Sequence, residues 1–129
     1  MPAMHGLRHD VRLSHDGLYI IVELEGTIDH ENARHFTDEM AHMVIETGIH
    51  RVLVDARQAR NGATIRDNLL FARPREMAAD PVLKKILRVI LVDEADRSHD
   101  LVVKALRLKG HNVVISRDET HAIGILTGE

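Results

Sequence analysis

The stretch "RQARNGATIRDN", residues 57–68, gathers the residue types of greatest chemical reach in the chain: three guanidinium groups, Arg57, Arg60 and Arg66, around Asn61, Gly62 and one hydroxyl, Thr64. An apolar run precedes it and a helix-periodic run follows, so it reads as a loop ending at a helix start. Free amides at a helix N-terminus and positive side chains both favour an anion, and a phosphate on Thr64 would gain from both. Arg57, Arg60, Asn61, Gly62 and Arg66 are therefore candidate contacts for an anionic ligand or a partner, and Thr64 is a candidate phosphoacceptor. Simpler accounts fit the same residues. The Thr64 hydroxyl caps the helix, with Asp67 reaching back from three residues on, for roughly 1 kcal/mol. The arginines are then solvated loop charges, and no glycine-rich phosphate loop adds support for a nucleotide.

Other chemistry-bearing residues are more scattered. "VDEAD", residues 92–96, puts Asp93, Glu94 and Asp96 just after a strand-like run, where open parallel sheets bind ligands. A phosphoacceptor or magnesium site of the receiver type needs an acidic pair after the first strand as well, and the sequence has none there; solvated acids ahead of a helix account for the run. Of the ten histidines, His35 and His42 share one expected helix at a spacing of seven, and His-Glu-x-x-His does not occur. His5, His9 and His15 gather near the N-terminal strands, where surface histidines are the plainer reading. The chain has no cysteine, which excludes a thiol nucleophile, a Cys-based zinc site and a disulfide scaffold. With no serine in a nucleophile elbow and no paired acid and base, the expectation is a protein that is not an enzyme and needs no cofactor or metal.

The 129 residues suit one hydrophobic core, and 44% apolar with 29% charged residues is ordinary for a globular domain. Tyr19, Phe36 and Phe71 are the only Tyr, Phe or Trp residues, which argues against base-stacking platforms. Seventeen basic against twenty acidic residues leave a net charge of −3, with no basic block, so nucleic acid is not an expected partner. No apolar run approaches a membrane span or a signal peptide, and a cytoplasmic setting is expected.

The elements that must position the loop follow from periodicity. Val11 and Leu13, then Leu18 to Leu24, flank Asp16-Gly17, a hairpin signal because both central residues can adopt positive φ. Residues 1–10 are expected to be an N-terminal extension and 11–129 the domain. Ala33, Phe36, Met40, Met43 or Val44, and Thr47 recur at helical spacing between Asp29, a cap, and Gly48, a stop, which predicts a helix over about 30–47. "RVLVDA", residues 51–56, reads as a strand buried on both faces. A helix over about 64–73 should stop or kink at Pro74. "DPVLKK" restarts a helix, followed by strand "ILRVILVDEA", helix "SHDLVVKALRLKG", strand "NVVIS" and a last helix capped by Asp118. In "HDLVVKALRLKG" the apolar stripe is wider than one buried face needs, and we read it as core before partner surface. The fold class is α/β: a single mixed, mostly parallel sheet of about five strands, with an N-terminal hairpin and about four helices.

Three motifs in this order resemble a known family. "VELEGTIDHENARHFTDEM", through Gly26, Ile28 and Asp29, is similar to the first strand-to-helix signature of STAS domains, the SpoIIAA-like fold of anti-sigma factor antagonists. "RVLVDARQARNGATI" resembles the strand and loop that deliver a hydroxyl residue to a helix start, and "NVVISRDETHAIGIL" resembles the closing strand and helix. The resemblance covers residues 11 to 127. It implies a non-enzymatic regulatory module that binds a protein partner through residues 57–68, and a homodimer as the form such stand-alone domains often take. The antagonists carry Asp-Ser at the phosphoacceptor, whereas this chain has Ala63-Thr64-Ile65, which moves Thr64 toward a cap. A STAS-like branch related to CRAL-TRIO lipid-binding domains lacks the phosphoacceptor, and its resemblance implies the alternative, a small carrier of a lipid-like ligand between sheet and helices.

Overall fold

A computed structural model of the chain describes residues 6–62 and 80–128. Thr64, Arg66, Pro74 and the helix expected over 64–73 lie outside the described residues. The elements run β1 (Leu7–Leu13), β2 (Ile20–Ile28), α1 (His30–Thr47), β3 (Arg51–Asn61), α2 (Asp80–Leu83), β4 (Leu87–Leu91), α3 (Asp100–Leu108), β5 (Asn112–Ser116) and α4 (Glu119–Thr127). The sheet has the order β1-β2-β3-β4-β5, with β1 antiparallel to β2 and the other neighbours parallel. The mixed α/β sheet opened by a hairpin is therefore the architecture of the molecule.

The hairpin is wider than its Asp-Gly dipeptide implies. Only Gly17 takes positive φ, at 73°, and Asp16 does not. The Asp16 carboxylate instead accepts from the Ser14 hydroxyl (2.7 Å) and the Leu18 amide (3.1 Å), and the Ser14 amide donates to Tyr19 O at 2.8 Å. The expected hairpin forms, and side-chain bonds from Asp16 shape its turn. β1 begins at Leu7, opposite Gly26, and continues in unbroken register to Leu13 opposite Ile20.

Successive side chains of a strand point to opposite faces, so the central strands read as continuous apolar runs because both faces are covered. One face sets Ile20, Val22, Leu24, Val52 and Val54 against Ala33, Phe36, Met40 and Val44 of α1, Leu83 of α2, and Val102 and Leu106 of α3. The other sets Leu53, Val89 and Leu91 against Ala122 and Leu126 of α4. In α3 the wide stripe is mostly core, with Val102, Val103, Ala105 and Leu106 buried and Leu108 80% exposed.

Helix α1 keeps the bounds its periodicity predicts. Asp29 accepts from the Asn32 amide and Asn32 accepts from the Asp29 amide, both at 2.8 Å, a reciprocal cap that fixes where the helix begins. Its last turn closes where the Gly48 amide donates to Val44 O.

Candidate functional site

Strand β3 runs five residues past the point where the apolar pattern ends. Glu23 pairs with Asp55 but Glu25 pairs with Gln58, so β3 carries one extra residue, a bulge. Ala56 and Ala59 consequently both join the core under α1, although their spacing of three breaks period-2 alternation. Residues 57–61, expected as a loop, are strand, and the connection out of the sheet begins at Gly62, whose amide donates to Ile28 O at 2.8 Å.

Strand β4 pairs with β3 only over residues 51–55. Beyond that, the loop between β4 and α3 supplies the missing partners. His99 Nε2 donates to Ala59 O (3.1 Å), and the Asn61 amide donates to the Ser98 hydroxyl oxygen (3.0 Å). His99 is buried, and because both oxygens near Nε2, Ala59 O and Asp96 Oδ2 at 3.4 Å, are acceptors, Nε2 carries the proton. Asp96 Oδ1 accepts from the Ser98 amide at 2.8 Å. Burial alone would raise the Asp96 carboxyl, yet the Ser98 hydrogen bonds and the charge of Arg60 hold it below its ordinary value. This clasp gives the exposed end of β3 a fixed edge. The acidic run after β4 accordingly divides, with Asp93 and Glu94 exposed and Asp96 packed.

The arginines part company here. Arg57 forks onto Asp55 through Nε (2.9 Å) and Nη2 (2.8 Å) and reaches Glu119 of α4 through Nη1 at 3.2 Å. Its charge is matched by two carboxylates on the α4 side, whereas Arg60 stands exposed near Asp96 at the end of the strand. Asn61 lines the neighbouring cavity, and Thr64 and Arg66 follow outside the described residues. Sequence reasoning missed His99 and Ser98; their signal was a Ser-His pair between a strand end and a helix start, where side chains can bond a neighbouring strand's backbone.

The hydrogen bonds from Arg57 pull the Asp55 carboxyl below its ordinary value against the opposing effect of burial. The folded state therefore binds this proton more weakly than the unfolded chain does. The stabilisation is complete above the ordinary carboxylate range and is lost as pH falls through the lowered value. Asp55→Asn is expected to flatten the fall in stability below about pH 4 relative to wild type. Urea midpoints measured between about pH 2.5 and 7 check this, and parallel profiles for the two proteins would refute it.

A cavity of about 50 Å³ lies between the sheet, α1 and α3. Leu24, Phe36, Met40, Val54 and Ile90 form its apolar wall, with Thr37, Asn61 and His99 among its polar lining. Thr37 Oγ1 and His30 Nε2 are buried there without a hydrogen-bond partner among the described residues. A water needs roughly 10–15 Å³ of such space, so the cavity has room for a few waters and falls far short of an acyl chain. Among the described residues, no three His, Asp or Glu side chains converge at metal-binding spacing, and no helix is long and apolar enough to cross a membrane.

No family model matches the chain, and no curated protein matches it. Solved structures do. An anti-sigma factor antagonist from Mycobacterium paratuberculosis shares 14% identity at a TM-score of 0.58, over 95% of this chain and 96% of that one. The anti-sigma factor antagonist SpoIIAA in its unphosphorylated form shares 11% at 0.58, over 95% and 98%. An uncharacterised protein with a SpoIIAA-like fold from Shewanella loihica PV-4 shares 16% at 0.56, over 95% and 94%. At these identities the likeness is one of architecture, and it extends along nearly the whole length of each chain: this protein has the SpoIIAA-like fold.

Proposed function

We propose that the chain is a non-enzymatic regulatory module that docks a protein partner where the end of β3, the first turn of α1 and the loop after β4 meet. Arg60, Asn61 and Gly62 form the described part of the contact, and Thr64 and Arg66 continue it along the chain. The observation that carries this reading is the clasp of Ser98 and His99 on β3, which holds an exposed, polar strand end in one geometry instead of leaving it to a free loop. A preorganised surface loses less entropy on docking than a mobile one. The solved anti-sigma factor antagonists, proteins of the same fold, make a regulatory protein the kind of partner to look for. The cytoplasmic setting belongs to the same proposal.

The carrier alternative has less support, because the cavity beneath this surface is too small for a lipid-like ligand. The test is affinity capture from the source cells' soluble extract with wild type, Arg60→Glu and Thr64→Glu, each checked for a native circular dichroism spectrum. A protein held by wild type and retained at least about tenfold less by Arg60→Glu is the expected result, since reversing a contact charge costs on the order of 1.4 kcal/mol or more. Loss with Thr64→Glu as well would make that residue a switch. Identical captured sets for all three proteins would sink the proposal.

A further inference from the structure

The two edges of the sheet are treated differently. At β5, Arg107 Nε donates to Val113 O at 2.7 Å, so a side chain already occupies part of that edge. At β1 no such cover exists among the described residues. The Ser14 amide donates to Tyr19 O, which marks Ser14 and Tyr19 as a hydrogen-bonded pair of the β1–β2 ladder. In an antiparallel ladder such pairs alternate, so Arg12, Asp10 and Arg8 also turn their backbone groups toward β2. Leu7, His9, Val11 and Leu13 then turn theirs outward, where among the described residues no group bonds to them.

The side chains along this edge are self-complementary. Arg8, Asp10 and Arg12 alternate in sign on the sheet face away from α1, where Arg8 pairs with Glu25 and Arg12 with Glu23 and Asp10. A second β1 adding antiparallel must match outward-facing residues with outward-facing residues, which leaves three central registers. Centred on Asp10, the pairing sets Arg8 against Arg12 and Asp10 against Asp10, like charges directly opposed. Centred on His9 or on Val11, it sets Asp10 against an arginine twice. The Val11 register also brings Leu13, 42% exposed, into the paired strands, which the His9 register leaves outside.

We propose that β1 is a dimerisation edge: two copies of this chain pair their β1 strands antiparallel about Val11, joining two five-stranded sheets into one of ten. Val11 faces Val11 of the second copy across six new backbone hydrogen bonds, made by the His9–Leu13, Val11–Val11 and Leu13–His9 pairs. Asp10 faces Arg12 across two non-hydrogen-bonded pairs, where side chains come closest. This surface is formed by β1, apart from the β3 end assigned to a regulatory partner, so each proposal stands or falls without the other.

Sedimentation equilibrium of the full chain at tens of micromolar tests it. The expected species has twice the 14.5 kDa chain mass, and a monomer throughout that range overturns the proposal. Asp10→Arg should shift the protein to monomer, and Asp10→Arg with Arg12→Asp should restore the dimer. Restoration by Asp10→Arg with Arg8→Asp in its place would overturn the Val11 register. Val11→Pro removes an outward amide that β2 does not use, so it should keep the native circular dichroism spectrum and lose the dimer. Should Val11→Pro unfold, the Asp10→Arg result decides alone. A dimer that survives Asp10→Arg uses another surface and refutes the edge pairing.

Discussion

Gly26→Ala is expected to destabilise the protein by about 3 kcal/mol, from two contributions of roughly 1–3 kcal/mol each. The first is conformational. Gly26 has φ 121°, a region that L side chains avoid whatever space surrounds them. The second is steric: a Cβ at this position would sit 2.5 Å from Gly6 O and 3.3 Å from Leu7 Cα, both backbone atoms of the chain entering β1. A flexible side chain could rotate away, but these atoms can move only if the start of β1 leaves its register with β2. Denaturant unfolding should show the loss as a lower urea midpoint, and amide exchange should show it first at Arg8, whose backbone groups face β2. A change under about 0.5 kcal/mol would mean that the start of β1 is not held against Gly26. Because β1 is also the proposed dimer edge, the same variant should weaken self-association.

Gly26 shows what a sequence can and cannot disclose. Its place between an apolar strand and Ile28-Asp29 carries the family resemblance, but the reason for glycine, the backbone carbonyl of Gly6 just ahead of β1, is visible only once β1 and β2 pair. Helix α1 was fully legible because each of its determinants is local: apolar residues at helical spacing, an Asp29–Asn32 cap and a glycine stop. The end of β3 was not. Its bulge moves the core-facing positions from Ala56 to Ala59, so the alternation that reveals a strand is broken where the strand turns polar. Its outer backbone groups are satisfied by Ser98 and His99, nearly forty residues away, and no local pattern encodes that contact. Residues 57–61 of the segment singled out by its chemistry were thus expected as loop and are strand.

Leu126→Ala is expected to cost about 2–5 kcal/mol, the range for deleting a fully buried leucine. Leu126 is completely buried and, with Ala122, packs α4 against Leu53, Val89 and Leu91. Among the described residues α4 is the only helix on this face, and none of them offers a neighbouring helix to close over the lost volume. Arg51 donates to Leu126 O and Arg57 reaches Glu119, which ties both ends of α4 to β3. Removing the anchor should therefore loosen the helix as a whole, with exchange rising from Glu119 to Thr127 before the central strands respond. The melting temperature should fall by roughly 8–15 °C, and a fall below about 3 °C would mean that the face is packed otherwise. The proposed partner surface lies with α1 and the loop after β4, on the other side of the sheet's core from Leu126. At a temperature where Leu126→Ala remains folded, it should capture the partner as wild type does, while Arg60→Glu should lose the partner at a much smaller cost in stability, that of a reversed charge near Asp96. That opposite pairing of stability and binding separates a residue that holds the scaffold from one that makes the contact.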